Sequence, residues 1–179
     1  VTVPKDIIKL ALNSAPELYR AIPNPDVDLM KHAIKLDIDL FQYMPYNQEV
    51  LEYALETNGL ILKYIKKKDL RTIKLAIKQN VEALDYVPYP RQFLIDYAFK
   101  QNGLALKYLK NPTYEQSLDA VKRAPAAIEF VPDNHITTEL QLYALMGGTS
   151  IVPLIKQPVD DEVTNQILVI DPTYIFKIT

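Results

Sequence analysis

Apolar and polar positions follow a pattern that recurs about every 22 residues along the chain. In seven copies an alanine lies in the middle of an apolar block, and we number each copy from this anchor as position 0. The anchors are Ala11, Ala33, Ala54, Ala76, Ala98, Ala120 and Ala144. Successive anchors lie 22, 21, 22, 22, 22 and 24 residues apart. A weaker eighth copy has Ile167 as its anchor. Self-similarity at a fixed short period predicts a tandem-repeat protein.

Each copy contains the pattern of two short helices. Apolar residues at −3, 0 and +1, such as Leu51, Ala54 and Leu55, fall on one face of a helix. Bulky apolar residues follow at +8 and +11, which predicts a second helix over about +5 to +11 that buries both positions. The small anchor indicates a close approach between neighbouring helices.

Glycine and proline separate the predicted helices. Gly59 and Gly103 follow the first helix of their copies, as does the pair Gly147-Gly148, and we expect left-handed C-caps there. Proline takes position +5 in three other copies, where it fits the first turn of the second helix. Further prolines at +12 or +14 end that helix.

These elements predict an all-α fold of helix-turn-helix repeats, about 22 residues each or about 44 per pair, stacked as a solenoid of undetermined hand. We expect a single domain over residues 1–179, with a weak last repeat at 160–179. Residues 165–179 are open to two interpretations, a β-hairpin or a helical copy. We favour the helical one because Pro172 occupies position +5.

Two segments carry a resemblance to a known repeat. They are residues 76–88 (Ala-Ile-Lys-Gln-Asn-Val-Glu-Ala-Leu-Asp-Tyr-Val-Pro) and residues 98–110 (Ala-Phe-Lys-Gln-Asn-Gly-Leu-Ala-Leu-Lys-Tyr-Leu-Lys). Both resemble the short tandem helical repeat of a domain family of unknown function, whose theme is Ala-Val-Lys-Gln-Asn-Gly/Pro-x-Ala-Leu-x-Tyr. The resemblance is strongest over residues 33–132. It implies a helical repeat protein and brings no catalytic residue with it.

Composition limits the chemistry. The chain has 20 Lys and Arg against 22 Asp and Glu, a net charge of −2, which disfavours attachment to nucleic acid by bulk charge. Cysteine is absent and the only histidines are His32 and His135, so thiol chemistry and histidine-rich metal sites are excluded. The paired carboxylates lie where helices begin, as caps do. We therefore predict no enzyme, no cofactor, no metal and no membrane attachment, and a cytoplasmic location.

Three sets of residues are candidates for binding. A tyrosine column at position −1 comprises Tyr53, Tyr97 and Tyr143. A lysine column at position +2 comprises Lys35, Lys78, Lys100 and Lys122. A basic cluster between two copies comprises Lys66, Lys67, Lys68 and Arg71. Alternatively, the tyrosines pack against neighbouring repeats and the lysines are only solvated.

The function we predict is a non-enzymatic protein-binding module, such as an adaptor, scaffold or inhibitor, in which exposed tyrosines anchor an unidentified partner. The first alternative is a nucleic-acid-binding repeat, with tyrosines stacking on bases and lysines contacting phosphates. An enzyme with a site in the concave face is less favoured. The oligomeric state is open.

Overall fold

The computed structural model describes residues 3–156 and 158–177. Every regular element within these ranges is helical, and they contain no strand. The helical interpretation of the C-terminal segment is confirmed as far as Lys177, whereas Ile178 and Thr179 lie outside the described residues. Internal contacts divide the chain into two compact units, Val1–Pro90 and Arg91–Thr179, which we describe separately.

Each copy in unit 1 consists of an α-helix followed by a 3-10 helix. The α-helices are α1 (Lys5–Ser14), α2 (Val27–Leu36), α3 (Gln48–Thr57) and α4 (Leu70–Gln79). The 3-10 helices are η1 (Pro16–Ala21), η2 (Ile38–Tyr43), η3 (Gly59–Tyr64) and η4 (Val81–Tyr86). Each α-helix contacts the next α-helix, and each 3-10 helix contacts the next 3-10 helix.

Unit 2 repeats the same alternation with one insertion. Its α-helices are α5 (Gln92–Gln101), α6 (Tyr114–Arg123), α7 (Thr138–Leu145) and α8 (Asp161–Ile170). Its 3-10 helices are η5 (Gly103–Tyr108), η6 (Pro125–Phe130), η7 (Asp133–His135), η8 (Val152–Leu154) and η9 (Pro172–Lys177). The short η7 is the insertion, lying between copies 6 and 7 in the chain.

Asparagine and aspartate side chains cap most helices of unit 1. The side chain of Asp69 begins α4 by accepting a hydrogen bond from the Thr72 N–H at 2.7 Å. Asn58 both ends α3 and begins η3. Its N–H donates to the Ala54 carbonyl at 2.9 Å, and its side-chain oxygen accepts from the Leu60 N–H at 2.9 Å. One extended residue therefore separates the two helices of this copy.

The anchors lie in the cores of both units. Six of the seven anchor alanines are fully buried, and the exception is Ala11 of α1, which is exposed. Position +8 is buried as predicted except at Phe41, which is half-buried. Position +11 is only half-buried in most copies, since the 3-10 helix ends one residue earlier.

The left-handed C-cap predicted at Gly59 and Gly103 is wrong. Among the described glycines only Gly148 has a positive φ, of 78°. A Cβ on Gly59 would overlap the carbonyl oxygen of Ala76, and one on Gly103 would overlap that of Ala120. Glycine is needed at these two positions because the next α-helix passes against the turn.

Ion pairs link neighbouring α-helices of unit 1 in a constant register. Position −2 of one copy meets position −5 of the next. The pairs are Lys9–Asp28 at 2.6 Å, Lys31–Glu49 at 2.6 Å and Glu52–Arg71 at 2.9 Å. Exposed pairs of this kind contribute about 0.2–1 kcal/mol each, so they favour one register more than they stabilise the fold.

Candidate functional site

An open groove of about 1050 Å³ lies in unit 1 between two successive inter-repeat loops, residues 44–47 and 65–69. Apolar side chains from both sides line it, and they are Phe41, Met44, Pro45, Leu51 and Ile65. Polar side chains also line it, and they include Tyr46, Tyr64, Lys66, Lys67, Lys68 and Asp69. Of the predicted binding residues, the groove thus brings together the three consecutive lysines of the basic cluster.

Tyr46 is the most exposed aromatic side chain of the groove, with 82% of its surface accessible. A chain of polar contacts holds it. Its hydroxyl donates to Gln48 Oε1 at 2.6 Å, and Gln48 Nε2 donates to Glu52 Oε1 at 2.7 Å. Glu52 in turn pairs with Arg71 at 2.9 Å. Arg71, predicted to belong to a binding cluster, therefore already has a carboxylate partner.

The second tyrosine, Tyr64, is tied to the preceding copy. Its hydroxyl donates to Asp39 Oδ1 at 2.7 Å, and the ammonium of Lys63 lies 3.2 Å from the same oxygen. The hydrogen bond from Tyr64, followed by that from Lys63, lowers the pKa of Asp39. Burial, followed by the hydrogen bond to Asp39, raises the pKa of Tyr64. Asp39 is thus ionised with its charge compensated.

The three groove lysines differ in what they can offer a ligand. Lys68 is half-buried, and its ammonium donates to the Ile65 carbonyl at 2.6 Å, which closes the 65–69 loop. Lys66 and Lys67 are exposed and form no ion pair within the part of the chain that the structure describes. The nearby carboxylate of Asp69 accepts the Thr72 N–H, and this contact lowers its pKa. Lys66 and Lys67 are thus the two groove lysines that no ion pair or hydrogen bond within the described residues holds.

The tyrosine column is less open than its helical position suggests. All three of its members are half-buried. The ammonium of Lys31 lies 5.3 Å from the ring centre of Tyr53, and that of Lys122 lies 4.3 Å from the ring centre of Tyr143. Cations already occupy these two ring faces, so stacking by a base would have to displace them.

The lysine column is exposed, as its position predicts. Its members are Lys35 and Lys78 in unit 1, and Lys100 and Lys122 in unit 2. Tyr53 belongs to unit 1, whereas Tyr97 and Tyr143 belong to unit 2. None of these column residues lines the groove.

Sequence reasoning missed Tyr46, which lies at position +13 directly after a proline that ends a 3-10 helix. The same Pro-Tyr pair recurs at Pro88-Tyr89, where Tyr89 is 97% exposed and has a φ of 50°. In the two other copies that have proline at position +12, the next residue is Asn24 or Asp133. The aromatic residue at this turn position was the signal that could have identified Tyr46.

Other potential chemistry is already satisfied by structural contacts. His32 Nε2 lies 2.9 Å from Asn13 Oδ1, while Asp28 pairs with Lys9, so no carboxylate–histidine pair forms. Within residues 3–156 and 158–177, no group of three or more His, Cys, Asp or Glu side chains is arranged to hold a metal ion. The helices of these same ranges include none with the length and apolarity that a membrane span requires.

No protein-family model matches the chain, and neither a curated protein nor a solved structure shows detectable similarity to it. The resemblance to the Lys-Gln-Asn repeat theme therefore stays a prediction. Functional inference depends on the groove itself.

Proposed function

We propose that the chain is a solenoid of tandem helical repeats that binds another protein, without catalysis, through the groove between residues 44–47 and 65–69. One observation carries the proposal: an exposed tyrosine, apolar side chains and two lysines without an ion pair line the same open groove. Large aromatic side chains dominate the energetics of many protein interfaces. The repeated contacts between successive helices within each unit support the solenoid arrangement.

The lining favours a protein partner over a nucleic acid. Apolar side chains such as Met44, Leu51 and Ile65 suit the desolvated centre of a protein interface. A nucleic acid would require many phosphate contacts for affinity, and the groove supplies two ammonium groups without an ion pair, those of Lys66 and Lys67, beside the carboxylate of Asp69. Tyr46 beside these lysines is the one arrangement that favours the nucleic-acid alternative.

The test is affinity capture from a lysate of the native host, divided into nuclease-treated and untreated halves. The groove variants are Lys66→Glu with Lys67→Glu, and Tyr46→Ala. Matched controls outside the groove are Lys35→Glu with Lys100→Glu, and Tyr89→Ala, which alter residues of the same type and exposure.

We expect the wild type and both controls to recover the same protein from both halves, and both groove variants to lose it. Recovery that disappears after nuclease treatment would support the nucleic-acid alternative. Equal recovery by the groove variants and the controls would contradict the proposed site.

A further inference from the structure

The groove lies in the most basic stretch of the chain. Residues 63–78 contain seven Lys and Arg against one acidic residue, Asp69, whereas the whole chain has a net charge of −2. Among the described residues that line the groove, Asp69 is also the only carboxylate, and it caps α4 by accepting from the Thr72 N–H. The fixed charges at the groove therefore favour an anionic ligand.

The two loops that border the groove are extended and have unpaired backbone groups. The backbone angles are extended at both ends of each loop, at Met44, Asn47, Ile65 and Asp69. Within residues 3–156 and 158–177, the backbone N–H groups of Tyr46, Lys66 and Lys67 donate no hydrogen bond. Since backbone groups need hydrogen-bond partners, these are left to water or to a ligand that enters the groove.

Unpaired loop groups favour an extended peptide over a helix as the ligand. A helix satisfies its backbone groups internally, whereas an extended peptide presents N–H and C=O groups along its whole length. Hydrogen bonds between the peptide and the loops would hold its main chain. The half-buried side chains of Phe41, Met44 and Ile65 would then contact apolar side chains of the peptide.

We propose that the groove binds an extended segment of the partner protein in which acidic residues flank large apolar side chains. The carboxylates of this segment pair with Lys66 and Lys67, which are exposed and have no ion pair among the described residues. Its apolar side chains contact the apolar lining, and its main chain pairs with the two loops. This inference rests on the proposed function, because it specifies the ligand of the same groove.

The experiment selects peptides from a display library of random linear sequences on the immobilised full chain. The groove variant is Lys66→Glu with Lys67→Glu, which reverses the two free charges of the groove. The matched control is Lys35→Glu with Lys100→Glu, which reverses two exposed lysines outside it. Circular dichroism verifies that each variant retains its helices. Fluorescence anisotropy then measures the affinity of the selected peptides and of a single-stranded DNA oligonucleotide.

We expect the wild type and the control to select peptides enriched in Asp and Glu beside large apolar residues, and the groove variant to select Lys and Arg in place of the acids. An acidic peptide selected on the wild type should bind the groove variant about tenfold more weakly, because two attractive charge pairs become repulsive. Unfolding of the variant cannot produce such a reversed preference.

Selected peptides without acidic enrichment, or the same acidic enrichment on the groove variant, would overturn the proposal. Tighter binding of the oligonucleotide than of any selected peptide would overturn it too. If no linear peptide were selected while lysate capture still depended on Tyr46, the extended ligand would be wrong and the protein-binding groove would stand.

Discussion

The substitution Gly59→Ala tests the close contact between successive copies. Its added Cβ would overlap the carbonyl oxygen of Ala76 and lie 3.0 Å from the carbonyl carbon and 3.2 Å from the Asn80 nitrogen. All three are backbone atoms of copy 4, so no side-chain rotation relieves the overlap. The turn of copy 3 and α4 must therefore move apart.

The cost has three components. Forcing one extra carbon into a packed contact costs about 1–3 kcal/mol. Separation of the copies also weakens the hydrogen bond from the Gly59 N–H to Gln79, worth about 0.5–1.5 kcal/mol. Alanine lowers the entropy of the unfolded chain, which offsets about 0.4–1 kcal/mol. The midpoints of these ranges give a net loss in the free energy of unfolding of about 2 kcal/mol.

Chemical denaturation followed by circular dichroism measures this loss. Gly103→Ala provides an independent repetition in unit 2, because its Cβ would meet Ala120 in the same way. Gly148→Ala is the contrasting control, since its added Cβ would have no atom within 4 Å and its cost comes only from the positive φ. A change of no more than about 0.5 kcal/mol is typical of neutral surface positions. If the free energies of unfolding of Gly59→Ala and Gly103→Ala lay this close to the wild-type value, the close contact would be refuted.

Two further predictions concern tyrosines. The buried hydroxyl of Tyr19 has no hydrogen-bond partner among the described residues, so Tyr19→Phe should stabilise the fold by about 1 kcal/mol in denaturant titrations. Burial raises the pKa of Tyr19 from 10.0 to about 12, so between these pH values the tyrosine ionises only in the unfolded state. Over this pH range the free energy of unfolding of the wild type should fall by about 2–3 kcal/mol, and that of Tyr19→Phe should not show this fall. Equal falls in the two proteins would contradict this prediction. Tyr89 adopts a left-handed φ of 50°, and Asn24, at the same position of copy 1, adopts a φ of 49°. Tyr89→Asn should therefore raise the free energy of unfolding by about 1 kcal/mol, and Asn24→Tyr should lower it by about as much. If both substitutions changed the free energy of unfolding in the same direction, backbone strain would not be the cause.

The helices were predictable from the sequence because their apolar positions repeat with helical spacing, as in Leu51, Ala54 and Leu55. The role of Gly59 was not. Local turn chemistry suggested a left-handed cap, whereas the requirement comes from a helix 17 residues further along, at Ala76. The role of the glutamine in the Lys-Gln-Asn theme was not predictable either, because Gln79 forms hydrogen bonds with the backbone of the preceding copy.

The candidate site was predictable only in part. The sequence indicated Lys66, Lys67 and Lys68 because like charges run together there. It did not indicate Tyr46, since the candidate tyrosines share one helix face whereas Tyr46 lies in a loop. The tyrosines on that helix face are half-buried, and both Tyr53 and Tyr143 pack against the buried core of their unit.

The proposal that the groove binds a protein is tested most directly by site-specific photo-crosslinking. A photoreactive phenylalanine analogue replaces Tyr46 in one sample and Tyr89 in another, two exposed tyrosines of which only Tyr46 lines the groove. In lysate of the native host, we expect a protein adduct from position 46 that survives nuclease treatment and is absent from position 89. Equal adducts at both positions, or an adduct at position 46 that consists of nucleic acid, would contradict the account.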